Sequence, residues 1–463
     1  MFPKFRQVKL SMLQLLLLCM LLVCQISQAE EQVLRLDLEQ AVSIALAQNP
    51  QIKQLVAGLE IADEQIQVAS APARWGVNVT AGLARVQPAQ TPTVEATLSG
   101  IEGDFQTSPN FAYTLLEGGI NVNKLLFDGG QVRNQIAAAR LSSDKTHLNA
   151  VDSWRRFHLQ IEAAYIDVLR AEERVENALV SRDLAKTNYD TAEKRFAVGQ
   201  VPRGDVVFAE VPLAEAELEV ERTVFERQSA KEALLLLLGL PQSTPLEVEK
   251  LIPPEQFDLT RETALNRAFE QRADLAAAEA DAESASKELK AVSRGNRPRV
   301  GLAGTLNPVG FDGNALASGG YRVGLVLQWP ILQGNVVEHQ TKIAEAQYAG
   351  KLAGIELKRQ NIEREVRQAY RAVELARMAQ QSTSVQLNAA RESLRIAQGQ
   401  YRAGLANFQV VNDQQRELVR AQGAYTQSFF DYMLALAQLE QAMGEGVPYE
   451  APFFPEETTS SKE

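Results

Sequence analysis

One long unit occurs twice in this chain, and that repetition constrains the fold more than any other feature. Phe196-Ala-Val-Gly199 returns as Tyr401-Arg-Ala-Gly404, 205 positions later (404 − 199). At that spacing Ile161 falls on Val366, Tyr165 on Tyr370, Leu213 on Leu418 and Gly239 on Gly444. Upstream the spacing is 223 positions (297 − 74): Gln48 falls on Gln271, Ile52 on Leu275, Arg74 on Arg297 and Val77 on Val300. Two copies of one mixed unit predict two equivalent halves built from the same ordered elements.

In each half the residue pattern predicts a helix, two strands, a very long helix, a tight turn and a further helix. The first half reads as a helix from about Leu38 to Ser70 and strands at about Trp75–Val86 and Phe111–Phe127. A helical stretch follows from about Val132 to Val198, then a break at Gly199-Gln-Val-Pro202 and a helix to about Leu238, stopped by Gly239 and Pro241. The second half reads as a helix from about Arg261 to Ser293 and strands at about Arg299–Asn307 and Gly320–Ile331. Its long helix runs from about Val336 to Ala403, breaks at Gly404, and is followed by a helix from about Phe408 to Met443. The expected divisions are a leader (1–29), a first repeat (30–240), a connector (241–258), a second repeat (259–444) and a tail (445–463). The polar end of the tail, Glu456 to Glu463, is expected to be disordered.

Both long helices carry a seven-residue stripe. It runs Trp154, Ile161, Val168, Val175, Arg182, Tyr189, Phe196 in the first and Val366, Val373, Gln380, Leu387, Leu394, Tyr401 in the second. Such a stripe is a coiled-coil seam, so these residues are expected to pack rather than to do chemistry. A helix of roughly 66 residues is about 100 Å long. Each half is therefore expected to fold as a two-rod hairpin with the glycine turn at one end and the strands at the other.

The strands alternate. Tyr321, Val323, Leu325, Leu327, Trp329 and Ile331 share one face, and Arg322 and Gln328 take the other; Trp75, Val77, Val79 and Ala81 oppose Asn78 and Thr80. Trp75, Tyr113, Phe127, Tyr321 and Trp329 are placed as interfacial aromatics would be. This fits a barrel wall with lipid outside and water inside; a half-buried soluble sheet is the alternative. Four strands cannot close, and open edges are not tolerated in hydrocarbon. Two chains would give a barrel too narrow for water, whereas three give twelve strands.

The bulk properties agree with an exported protein. Lys4, Arg6 and Lys9, an apolar run from Leu13 to Val23, and Ser27-Gln-Ala29 read as a signal peptide cut after Ala29. A lipoprotein signal at Cys24 is the alternative, against which Val23 stands where a small residue is wanted. Both cysteines, Cys19 and Cys24, lie in this leader, so the remainder has no thiol. Net charge is −11, or about −14 without the leader's three cations, which argues against nucleic acid as a partner.

The repeat, the joints Phe127-Asp-Gly-Gly130 and Ile331-Leu-Gln-Gly334, and the turns Arg195-Phe-Ala-Val-Gly199 and Tyr401-Arg-Ala-Gly404-Leu-Ala-Asn407 resemble the TolC-like outer membrane efflux proteins. The resemblance covers essentially all of the chain after the leader. It implies a mainly α protein with a transmembrane β-barrel: a homotrimer with a twelve-stranded barrel in outer membrane lipid and an α-helical tunnel in the periplasm. It implies passive export in a tripartite efflux or type I secretion system, with a periplasmic adaptor and an inner-membrane transporter of the RND, ABC or MFS type. The turn residues Val198, Gly199, Gln200, Ala403, Gly404, Leu405 and Ala406 would contact the adaptor. Asp413, with Asp205 as the second candidate, would narrow the tunnel mouth by like-charge crowding and pairing with nearby arginines. Members often carry two acidic residues after the second turn, but here Val410 occupies the first of those positions. The connector and the tail resemble an equatorial collar. A periplasmic coiled-coil protein with a soluble sheet is the alternative reading.

Other signals point nowhere. His147, His158 and His339 show no metal-ligand spacing, and no cofactor is expected. Ser284-Ala-Ser-Lys287 has the Ser-x-x-Lys form without its partner motifs. No phosphate loop is present, and no enzyme activity is expected.

Overall fold

The computed structural model describes residues 33–86, 113–251, 258–312 and 315–445. The leader with Cys24, connector residues 252–257, the tail beyond 445 and the expected strand start at Phe111 lie outside the described residues.

The helices are α1 (Leu38–Gln48), α2 (Pro50–Ser70), α3 (Gln131–Ala197), α4 (Arg203–Leu238), α5 (Arg261–Gln271), α6 (Ala273–Val292), α7 (Val336–Arg402) and α8 (Phe408–Met443). The strands are β1 (Leu34–Leu36), β2 (Trp75–Val86), β3 (Tyr113–Phe127), β4 (Leu246–Val248), β5 (Arg299–Asp312) and β6 (Ala315–Gln328). Both α3 and α7 have 67 residues, and both α4 and α8 have 36. The chain divides into two compact units: one of residues up to Leu55, Ser153–Gln271 and from Ile362, the other of Val56–Asp152 and Arg272–Asn361.

In the first unit, Trp154, Ile161, Tyr165, Val168, Leu234, Leu235, Leu238, Phe430 and Met433 form one core. The expected stripe is largely buried: Val175, Val366, Val373, Leu387, Leu394 and Tyr401 join those residues inside. Phe196 departs from it and stands 44% exposed, one residue before α3 ends, whereas its counterpart Tyr401 is buried. Arg182 leaves the stripe to pair with Asp183 at 2.7 Å.

The helix expected from Leu38 to Ser70 is two helices, as is its counterpart in the second half. Asn49 adopts an extended ψ of 129° before Pro50, whose ring disfavours a helical residue ahead of it. The Asn49 side chain serves both sides of the break: Nδ2 donates to Leu237 O at 2.7 Å, and Oδ1 accepts from the Gln51 N–H at 2.7 Å. The end of α4 sits on this break. Gly239 has φ +75°, and a Cβ there would lie 3.0–3.1 Å from backbone atoms of Gln48 and Asn49. Gly239→Ala should therefore cost about 2–3 kcal/mol, from left-handed strain plus a backbone contact that cannot yield. Gly199→Ala, also at positive φ but with open space around it, should cost only about 1 kcal/mol. Thermal melts of the two variants check the order.

The same unit contains a two-stranded parallel sheet that has no signal in the sequence. β1 pairs with β4, Leu34 opposite Leu246 and Leu36 opposite Val248. The Tyr165 hydroxyl shares its proton between Leu36 O (3.0 Å) and Glu249 O (2.7 Å), tying both strands to α3.

The second unit holds an antiparallel sheet in the order β2-β3-β5-β6. Opposed pairs fix two chemically different faces. Val77–Val122, Val79–Ile120, Leu302–Leu325 and Leu306–Tyr321 share one; Asn78–Asn121, Gly76–Asn123, Thr305–Arg322 and Arg299–Gln328 share the other. On the apolar face Trp75, Val77, Val79, Tyr321, Val323, Leu325 and Leu327 are all exposed. β6 ends at Gln328 rather than Ile331, because Pro330 has no N–H to continue the ladder. β5 and β6 extend to Asp312 and back to Ala315, beyond the expected Asn307 and Gly320. At the joint from β3 to α3, buried Asp128 accepts from the N–H groups of Gly130 (2.8 Å) and Val132 (2.5 Å), satisfying the helix start.

Candidate functional site at the paired helix turns

The turns between α3 and α4 and between α7 and α8 are built alike. Gly199 (φ +74°) and Gly404 (φ +75°) take the left-handed conformation that closes a helix. Gln200 N–H returns to Arg195 O, and Leu405 N–H to Gln400 O, each at 2.9 Å. These bonds satisfy carbonyls that the helix ends would otherwise leave open. The restarts differ. Asn407 caps α8 by accepting from the Val410 N–H, whereas Pro202 precedes α4 without a side-chain cap. Both turns present a bare apolar side chain: Val198 is 69% exposed and Leu405 81%. Gln200 and Ala403 are exposed and Ala406 is partly covered.

Beneath the turns the four helices close on a small core of Ala192, Ala209, Leu394, Ala397, Tyr401, Phe408 and Val411. The alanines let the rods approach closely. Further along, polar rungs join α3 to α8: Asn188 donates to Gln415 at 2.7 Å and Asn177 to Thr426 at 3.1 Å.

One side chain joins the two turns. Arg195, in the last turn of α3, donates to Tyr401 O (3.1 Å) and Arg402 O (3.2 Å) at the end of α7. Its guanidinium also lies over the Tyr401 ring, 4.8 Å from the centroid. Two carbonyls at a helix C-terminus carry partial negative charge, so a cation suits them. The sequence marks Arg195 only as a basic residue near a helix end.

Of the two expected constriction residues, Asp413 is exposed on α8 and accepts from Gln409 Nε2 at 3.0 Å. Asp205, partly covered on α4, approaches the Tyr401 hydroxyl at 3.5 Å. Burial pushes the tyrosine's pKa up, and that carboxylate adds to the rise. Among the described residues neither aspartate takes the arginine partner expected for it, and the two are held by different neighbours. Two further sequence signals have structural roles: Ser284 Oγ donates to Ala138 O at 2.9 Å, and His147 Nε2 lies 3.1 Å from Asp63. No cluster of three or more His, Cys, Asp or Glu side chains suited to a metal occurs among the described residues.

The model of a family described as outer membrane efflux protein matches residues 41–240 and 264–445, both repeats. The chain belongs to this family. Outer membrane protein OprJ of Pseudomonas aeruginosa is 26% identical over 430 residues, covering 89% of this chain and 84% of OprJ. Outer membrane protein TolC of Vibrio cholerae is 25% identical over 305 residues, covering 62% of this chain and 67% of TolC. Among solved structures, the outer membrane protein VceC of Vibrio cholerae superposes with a TM-score of 0.74 at 20% identity, covering 88% of this chain and 96% of VceC. For an outer membrane efflux protein, the apolar sheet face is a membrane face. The alternative of a soluble sheet on a periplasmic rod is set aside.

Proposed function

We propose that this protein is the outer-membrane exit duct of an envelope-spanning efflux or type I secretion system, passing solutes passively through a homotrimer. The four-stranded sheet carries this reading: it exposes an apolar face and leaves β2 and β6 as its edge strands. In hydrocarbon such edges must pair, and three copies supply twelve strands. The helices offer matching surfaces. Val207, Val211, Leu218 and Phe225 form an exposed apolar stripe on α4, and Leu375, Met378, Val385 and Ile396 form one on α7. Seven-residue spacing within both stripes suits coiled-coil contact between neighbouring copies. The mass of the native particle extracted in detergent from purified outer membranes tests the proposal. Three chains are expected; one or two chains released without detergent would overturn it.

The remaining assignments follow from this reading. The leader directs export and is removed after Ala29, leaving the protein in the outer membrane with its helices in the periplasm. The exposed turns, with Val198 and Leu405 foremost, receive a periplasmic adaptor that couples the duct to an inner-membrane transporter. Asp413, three times around the axis, favours cations at the tunnel mouth. In a salt gradient across a planar bilayer, Asp413→Ala should shift the reversal potential away from the cation value; an unchanged potential and current would remove Asp413 from the role.

A further inference from the structure

The polar face of the sheet carries positive charge at two levels, and neither level has a carboxylate directly opposite. Arg299 and Arg322 lie on this face, in register opposite Gln328 and Thr305. Arg74, just ahead of β2, lines one groove with Arg299, Asn123, Gln131, Gln135 and Gln328. The guanidinium partners are neutral: Arg299 donates to Gln131 Oε1 at 2.6 Å, and Arg74 to Gln67 Oε1. Asp128 is the one carboxylate in the groove lining, and both its oxygens are occupied by the N–H groups that open α3. Lys124 belongs to the opposite face, where it lies over Trp75 and donates to Ala73 O. Arg299 and the partner of Arg322, Thr305, are six residues apart on β5, about 20 Å along the wall. The nearest acidic position on this face by register is Glu117. It stands beyond both levels, four residues past Asn121, the neighbour of Thr305, or about 13 Å farther along β3. The surrounding amides of Asn78, Asn121 and Asn123 supply further donors.

We propose that this face forms an anion-attracting lumen with two levels of arginine, and that the solutes leaving through it carry phosphate, sulfate or carboxylate groups. This rests on the duct reading, which turns the polar face inward and sets three copies of each arginine around the axis. Guanidinium groups bind such oxyanions in a two-pronged manner, and in a narrow water-filled barrel their field is screened less than at an open surface. The charge is opposite in sign to that of Asp413, so the two sites select differently: cations are favoured at Asp413 and anions at the barrel wall.

The test uses inorganic tripolyphosphate as a blocker of the detergent-extracted protein in a planar bilayer, added in turn to each side. From the barrel side it should reduce the current, and the block should weaken with added salt. In an Arg299→Gln/Arg322→Gln variant the half-blocking concentration should rise about tenfold or more, while Arg299→Lys should retain most of the block. Conductance before blocker is added reports that each variant has folded. A conducting wild-type protein that tripolyphosphate does not block, or a double variant blocked equally, overturns the anionic lumen and leaves the duct standing. A protein that forms no conducting particle overturns the duct reading and the lumen with it.

Discussion

Replacing Arg195 by alanine should raise the single-channel conductance several-fold. Arg195 joins the two helix turns by hydrogen bonds to the Tyr401 and Arg402 carbonyls and by its position over the Tyr401 ring. Bonds from a charged donor are worth about 1.5–3 kcal/mol each, and the ring contact adds about 0.5–2 kcal/mol. Exposure of the turn reduces these values, so Arg195 adds about 3 kcal/mol per chain to the contacts that join the turns, enough to change the ratio of joined to separated turns by roughly a hundredfold. Tyr401→Phe should do much less. The hydroxyl reaches Asp205 only at 3.5 Å, at the limit of a hydrogen bond, and phenylalanine keeps both the ring and the backbone carbonyl. Single-channel recording of both variants decides the matter: an unchanged conductance in Arg195→Ala would show that the guanidinium does not hold the turns, and a larger rise in Tyr401→Phe would give that role to the hydroxyl.

The second large effect is expected at the break between α5 and α6. Asp274 is 4% exposed, and its carboxylate is gripped by Arg272 at 2.7 and 2.9 Å and by Lys358 at 3.1 Å. Burial alone would raise the carboxyl pKa, but the bonds and charges of Arg272 and Lys358 outweigh it and hold the value at about 2. Arg272→Met leaves a buried carboxylate with one partly exposed lysine, and should cost about 3 kcal/mol at neutral pH. The pH dependence has a definite sign. With its folded pKa below the unfolded value of 3.8, Asp274 contributes fully above that value and loses its contribution as pH falls through about 2. The gap in melting temperature between wild type and Arg272→Met should therefore be wide at neutral pH and shrink toward pH 2. A gap independent of pH would mean that lost packing, not charge, explains the cost.

Much of this architecture is legible in the amino-acid sequence. The turns can be placed because Gly199 and Gly404 sit where long seven-residue stripes stop, and only glycine enters the left-handed region cheaply. The sheet faces can be assigned from strict alternation, as at Tyr321 through Leu327. What escapes is whatever depends on a distant partner. The break at Asn49 has Pro50 to announce it, but Arg272-Ala273 contains no helix breaker; there the extended Arg272 accompanies a buried ion pair that local sequence does not reveal. Arg195 escapes for the same reason, since its partners are carbonyls 206 and 207 positions away. Asp205 and Asp413 likewise take neighbours that local sequence does not name, the Tyr401 hydroxyl and the Gln409 amide.

The small parallel sheet has a consequence for how the chain folds. Leu34 pairs with Leu246, so β1 has no strand partner until more than two hundred further residues have been delivered. Such a contact has a very high sequence separation, and loop closure makes contacts of this kind late events. Local contacts of the long hairpin in the first repeat can form well before it. The Tyr165 hydroxyl bonds carbonyls next to both strands and so gains its second partner only when β4 arrives. Residues near Leu34 are thus among the last of the first repeat to be fixed, and their docking marks its completion.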